Sequence, residues 1–294
     1  MILITGATGH LGYLTLTELL KEKSASEIAV LARKVSDKTK EIAALGVEVR
    51  IGEYASKESL LKAFNGIKTL FFVSTHEAAQ DFTVHKNVID AAVNSNVQSI
   101  VYTSTQGEKS LGKNNPEGAA DMHALTEEAI KQSGLNYTIL RNAPYMESLP
   151  MILGESVLDT GYSMPMGEGK LSFATRQDMA IGSAIVLSTD EHDHKTYEFG
   201  GTVSVGFNEV MEILSELTGK NLEYNPIDSE TYEQQSKEAG IPEMYIQSNL
   251  GFANQVKNGY FDHPTQDLAN ILGREPVSVE DFLKETYIQQ VEKR

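Results

Sequence analysis

The chain opens with Met1-Ile2-Leu3-Ile4-Thr5-Gly6-Ala7-Thr8-Gly9-His10-Leu11-Gly12, a short aliphatic run followed at once by three glycines spaced three residues apart. Leu11, Leu14, Leu16, Leu19 and Leu20 then recur at helical spacing. Few folds accept this order. A strand must run into a tight turn, and the turn must open a helix whose amino end stays uncovered. In that context Gly6 permits the turn, Gly9 lets the backbone approach a pyrophosphate, and Gly12 lets helix and strand pack closely, with the helix amino terminus facing the anion. The spacing G-x-x-G-x-x-G departs from the G-x-G-x-x-G fingerprint, but the physical demands are the same. As a bare string it would be as well explained by structure alone; the strand before it and the amphipathic helix after it give it meaning.

Further β-branched or aliphatic runs follow at Ile28 to Ala32, Val47 to Ile51, Thr69 to Ser74, Ser99 to Ser104 and Tyr137 to Leu140, with helix-period segments between them. Strand alternating with helix implies an α/β fold: a doubly wound, mostly parallel sheet of the Rossmann type. Thr69-Leu70-Phe71-Phe72-Val73 has no polar face and reads as a central strand. Past residue 145 the alternation breaks, and glycine and proline cluster between Gly154 and Gly169. A helix is expected over Phe207 to Leu217, ended by Gly219, then a strand over Leu222 to Tyr224 and a last helix from the Ser278-Val279-Glu280-Asp281 capping pattern. The expected division is residues 1–148 as a nucleotide-binding domain and 149–294 as a smaller substrate-binding region, partly interleaved with the first.

Composition removes several function classes. Among 294 residues there is no cysteine, which excludes disulfides, thiolate nucleophiles, iron–sulfur clusters and cysteine-ligated zinc. Net charge is −16; residues 1–150 carry 15 basic and 17 acidic groups, residues 151–294 carry 10 and 24. A half at −14 is a poor partner for nucleic acid, whose binding rests on basic groups that displace counterions. No apolar run approaches the roughly 18 residues needed to cross a bilayer. No nucleic-acid or membrane partner is therefore expected, and a chain that starts directly on a strand is expected in the cytoplasm.

Ligands of doubly wound sheets sit beyond the carboxyl ends of the strands. The second strand is followed by Arg33, where an acidic residue would bind the ribose 2′-hydroxyl of NAD. A cation there would instead bond a 2′-phosphate, so NADP(H) is expected, with Lys34 and Lys38 as supporters and Asp37 as the residue that argues against it. Val73-Ser74-Thr75 and Thr103-Ser104-Thr105 offer hydroxyls at the next strand ends, although Ser and Thr there also serve as turn formers. Tyr145, after Asn142-Ala143-Pro144, could wall a flat ring or simply pack at the surface. Glu191-His192-Asp193-His194 has metal-ligand residue types but sits in an acidic loop where solvation is the simpler reading; no metal is expected.

With TGATGHLG at Thr5 to Gly12, LARK at Leu31 to Lys34, VYTST at Val101 to Thr105, HxxTE at His123 to Glu127 and YTILRNAPY at Tyr137 to Tyr145, the chain resembles the atypical short-chain dehydrogenase/reductases of the NmrA-like kind. Within them it is most similar to the bacterial type-2 NADPH:quinone oxidoreductases. The resemblance runs nearly the full length. It implies dinucleotide contacts from Gly6, Ala7, Thr8, Gly9, His10, Leu11, Arg33, Val73, Ser74, Thr75, Tyr137, Thr138, Ile139, Leu140, Arg141 and Asn142. It also implies hydride transfer from NADPH to a quinone.

None of the twelve tyrosines has lysine four residues on, so the Tyr-x-x-x-Lys pair that protonates an alcohol oxygen in many relatives is absent. Quinone reduction survives that loss, because the reduced oxygen is a stabilised phenolate and orientation matters more than a strong acid. His123 could bond the acceptor's carbonyl or relay a proton, and Tyr145 could contact its ring; these two are the catalytic candidates. The quinone is expected against Tyr145, Met146, Met164, Met166 and Phe173, in a lid formed after Pro144. The alternative is a non-catalytic NADP(H)-binding redox sensor, which the NmrA-like resemblance permits. The sequence leaves a homodimer open.

Overall fold

The computed structural model describes residues 1–75, 81–107 and 122–288. In chain order the elements begin β1 (Ile2–Ile4), α1 (His10–Leu19), β2 (Ile28–Ala32), α2 (Asp37–Ala44), β3 (Glu48–Ile51), α3 (Lys57–Ala63), β4 (Thr69–Val73), α4 (Thr83–Asn94), β5 (Ser99–Thr105), α5 (Met122–Gln132) and β6 (Asn136–Asn142). They continue α6 (Leu149–Leu153), α7 (Val157–Thr160), β7 (Tyr162–Met164), β8 (Lys170–Leu171), α8 (Arg176–Ser188), β9 (Lys195–Phe199), β10 (Val205–Gly206) and α9 (Phe207–Thr218). The last are β11 (Tyr224–Pro226), α10 (Ser229–Glu238), α11 (Glu243–Lys257), α12 (Asp267–Leu272) and α13 (Val279–Leu283).

The strands at the six expected positions form a sheet in the order β3-β2-β1-β4-β5-β6, with β9 as the seventh strand beside β6. All pairings from β3 to β6 are parallel, so each connection must cross a face of the sheet, and a helix does so each time. Winding runs outward from β1 to β3 and then returns to β4 on the other side of β1: Ile4 pairs with Val30 on one side and Phe71 on the other. The reversal opens a crevice at the carboxyl ends of β1 and β4. On one face of the sheet Leu3, Ala29, Phe64, Leu70, Phe72, Val88, Ile100 and Tyr102 are buried together; each large side chain contributes roughly 1.5–3 kcal/mol.

Two compact units emerge, one of Met1–Asn142 with Arg176–Glu198, the other of Ala143–Thr175 with the chain from Phe199 onward. In the first, α8 packs on α1, and Gln177 donates to Glu18 across them at 2.8 Å. The second has two small sheets, β8 with β10 and β7 with β11, around its own core. Met146, Met164, Met166 and Phe173, expected in a lid, are buried in that core with Leu149, Val210 and Leu214. Their apolar surface is spent on folding the second unit, which corrects the lid expectation. The expected strand over Leu222 to Tyr224 instead begins at Tyr224, because pairing with β7 starts there and the Leu222 amide donates to Ser215 Oγ at 3.0 Å. Gly161 precedes β7 at φ +71°, where a Cβ would lie 2.5 Å from the Glu223 carbonyl oxygen. Among the described residues no helix is long and apolar enough to cross a membrane.

Candidate functional site

The turn after β1 is built as its glycines require. Gly6 adopts φ +64°, and a Cβ on Gly12 would sit 2.4 Å from the Gly6 carbonyl oxygen, inside contact distance. The Gly9 amide donates back to Gly6 O at 2.9 Å. Gly9 is also the cap position of α1; it brings no side-chain cap, and the first turn of α1 has no acidic residue. The leading amides of a ten-residue helix therefore keep their capacity for an external anion. Ala7 and Leu11 are buried beneath this turn, whereas Thr8, Gly9 and His10 are exposed.

An open cleft of about 850 Å³ lies over the turn, lined by Gly6, Thr8 and Gly9, by Leu31 to Lys34 and Ser36, by Gly52 to Ala55, and by Val73 to Thr75. Its size suits a nucleotide. Of the residues expected to bind cofactor, it gathers Gly6, Thr8, Gly9, Arg33, Val73, Ser74 and Thr75. Gly52, Glu53, Tyr54 and Ala55 were not expected; the signal was available, since they follow β3 and are a strand end like the others. Gly52 donates to Ala32 O at 3.0 Å, which ties the end of β3 to the end of β2, and Tyr54 donates its hydroxyl to Val73 O at 2.9 Å.

Arg33 and Lys34 are exposed at the rim of the cleft, where the two cations suit a phosphate. The expected supporter Lys38 does not line it. Its ammonium stands 3.2 Å over the Tyr13 ring and bonds Glu41, while Tyr13 donates its hydroxyl to Glu41 at 2.6 Å. Asp37 pairs with Lys40 and is likewise outside the lining.

The ends of β5 and β6 are arranged otherwise. Ser104 donates to the buried Glu127 at 2.6 Å, and Arg141 donates to both oxygens of Glu127 at 3.0 and 2.7 Å and to Glu198 at 3.1 Å. The hydrogen bonds that Glu127 accepts, with its charge and the bond and charge of Glu198, raise the Arg141 pKa above its already high value. Arg141 was expected to meet the dinucleotide; its cation is consumed by two carboxylates instead. Tyr137 and Thr138 also depart from expectation. They lie at the amino end of β6, away from the cleft end of a parallel strand, where Thr138 donates to His192 O at 2.8 Å and the Tyr137 ring packs on His194. Ile139 and Leu140 are fully buried. The loop that receives Tyr137 and Thr138 is the Glu191 to His194 segment, and it is structured rather than merely solvated. His192 bonds Thr189 and Tyr197, each at 2.9 Å.

His123, in the first turn of α5, has its Nδ1 2.9 Å from the hydroxyl of the fully buried Tyr102. Tyr145 is half-buried and bridges to Ala174 within the second unit. Among the described residues no three His, Asp or Glu side chains are grouped to hold a metal ion.

The NmrA-like family model matches residues 1–283. The chain belongs to the NmrA-like family. Quinone oxidoreductase 2 of Escherichia coli K12 is 33% identical to it, covering 92% of this chain and 96% of that protein. Among solved structures, the Citrobacter sp. triphenylmethane reductase complexed with NADP(H) superposes with TM-score 0.87 at 32% identity, covering 97% of this chain and 99% of that one. The Escherichia coli NADPH-dependent quinone oxidoreductase complexed with NADPH gives 0.86 at 30% identity over 98% and 100%.

This chain's residues fit a dinucleotide of that kind on their own geometry. The turn approaches by backbone alone, and the rim supplies two cations. Asn142, the last residue of β6, is 5% exposed and does not line the cleft, and among the described residues neither its side-chain oxygen nor its nitrogen has a hydrogen-bond partner. A buried amide left so costs roughly 1–3 kcal/mol.

Proposed function

We propose that this protein is an NADPH-dependent oxidoreductase that reduces a quinone by two electrons. The observation that carries the reading is the cleft over Gly6 and Gly9 with Arg33 and Lys34 at its rim, in a chain 33% identical to a quinone oxidoreductase over nearly its whole length. NADPH, when bound, supplies the hydride. The protein's part is to hold and orient. The glycine turn and the open end of α1 receive the pyrophosphate, Arg33 and Lys34 the 2′-phosphate, and the walls at Val73 to Thr75 and Gly52 to Ala55 the remainder of the nucleotide. Asn142 is proposed to bond a polar group of the bound ligands through the amide atoms it leaves unpaired.

His123 is proposed as a hydrogen-bonding group for the acceptor's carbonyl. Its Nδ1 lies 2.9 Å from the Tyr102 hydroxyl, a contact that orients the ring. The role of Tyr145 rests on the family resemblance and is tested by Tyr145→Ala.

The test is NADPH oxidation by purified protein with simple benzoquinones and naphthoquinones, run beside NADH, a triphenylmethane dye and an acceptor-free blank. Quinone-dependent turnover with NADPH favoured is the expected result. Dye turnover without quinone turnover would move the acceptor class to that of the triphenylmethane reductase. Tight NADPH binding with no turnover on any acceptor would overturn the enzyme reading in favour of a sensor.

A further inference from the structure

Three successive amides at the end of β4 are held by side chains. Val73 donates to Thr5 Oγ1 at 2.9 Å, Ser74 to Thr103 Oγ1 at 3.0 Å and Thr75 to His85 Nε2 at 3.2 Å. The donors line the cleft, while the three acceptors, from the end of β1, from β5 and from α4, are buried and do not. Two acceptors are hydroxyls, which can serve a donor in any protonation state. The third is an imidazole, whose Nε2 accepts only when it is bare.

The structure determines which nitrogen of His85 is bare. Thr126 donates its only hydroxyl proton to Met122 O at 2.7 Å, and His85 Nδ1 lies 2.9 Å from the same hydroxyl oxygen. Towards His85 that oxygen can only accept, so Nδ1 carries the proton and Nε2 is free to receive the Thr75 amide. The ring is enclosed edge-on by Tyr54, Phe72 and Tyr102, and beyond Tyr102 stands His123. Burial, with the nearby His123 adding to it, holds the His85 pKa down to about 3, consistent with a ring kept neutral.

We infer that His85 is a positioning residue of the dinucleotide cleft: its bare Nε2, kept bare by Thr126, fixes the Thr75 amide and with it the wall from Val73 to Thr75. The cleft's affinity for NADPH is then set in part by a side chain that does not line it. The inference rests on the functional reading above.

The experiment measures NADPH affinity by fluorescence titration for wild type, His85→Leu, His85→Gln and Thr126→Val, with long-range nitrogen-15 NMR of the wild-type ring. His85→Leu fills the space without an acceptor and should weaken NADPH binding about tenfold. His85→Gln can place an amide oxygen near the Nε2 position and should recover most of that loss; Thr126→Val should fall between. KM for NADPH should move more than kcat. The NMR spectrum should show a protonated Nδ1 and an unprotonated Nε2. Wild-type affinity in His85→Leu, or the opposite tautomer, would overturn the inference. Should the Leu variant fail to fold, wild-type affinity in Thr126→Val would do the same. A wild-type protein that binds no NADPH would instead remove the functional reading itself, so the two failures are told apart.

Discussion

The carboxyl ends of β1, β2, β3 and β4 and those of β5 and β6 point the same way from one parallel sheet, and both groups carry hydroxyls and an arginine. They are put to opposite uses. At the first four, backbone amides, Arg33 and Lys34 line an open cleft. At the other two, Ser104 and Arg141 turn on Glu127 and Glu198 and close a network around the buried Glu127. At the end of β6 two carboxylates of the same chain hold the Arg141 cation. Asn142 is the exception inside the closed region, a buried amide that the network leaves unpaired.

Breaking the network should give the largest effect. Glu127→Ala strips Arg141 of its main partner and should lower unfolding free energy by about 3–5 kcal/mol in urea denaturation, while leaving the NADPH-to-NADH preference of the folded fraction unchanged. Arg33→Glu should do the reverse. Losing a charge-assisted bond of about 1.5–3 kcal/mol should invert that preference in paired titrations, with stability within about 0.5 kcal/mol of wild type. An unaltered preference would remove Arg33 from the site.

A third expectation concerns the buried imidazole behind the cleft. His85 is held down to about 3 by burial, so between its ordinary value near 6.5 and that point the unfolded chain takes up a proton that the folded chain does not. Its contribution to stability is complete above about pH 6.5 and is lost as pH falls, at about 1.4 kcal/mol per unit, levelling off below about 3. The difference between wild type and His85→Leu, measured by denaturation across that range, should show this slope. The smallest effect is expected for Asn142→Leu. Removing an unpaired buried amide should leave the apoprotein as stable or more stable by about 1 kcal/mol and weaken ligand binding; a clear loss of stability would show that the amide has a partner within the fold.

Much of the candidate site was legible because its signals are local. The strand, the three glycines and the helix sit within twenty residues, and Arg33 directly follows β2, so spacing alone pointed to Gly6, Gly9 and Arg33, which line the cleft. Glu53 and Tyr54 could have been found by the rule that gave Val73 to Thr75, had the end of β3 been read in the same way. Lys38 could not have been sorted from Arg33 by sequence. What distinguishes them is the Tyr13 ring and Glu41, brought together by the packing of α1 and α2.

The sequence by itself determined the order and class of the elements, the turn after β1 and the absence of thiol chemistry, because periodicity, glycine geometry and composition act over a few residues. Tertiary structure decided which polar groups remained available. Arg141 is neutralised by Glu127, fourteen residues earlier, and Glu198, fifty-seven later. Tyr137 and Thr138 were excluded by the direction in which β6 runs, and Met164, Met166 and Phe173 by a core assembled from distant segments. Charge neutralisation and burial depend on distance in space, and the chain's local pattern does not encode those distances.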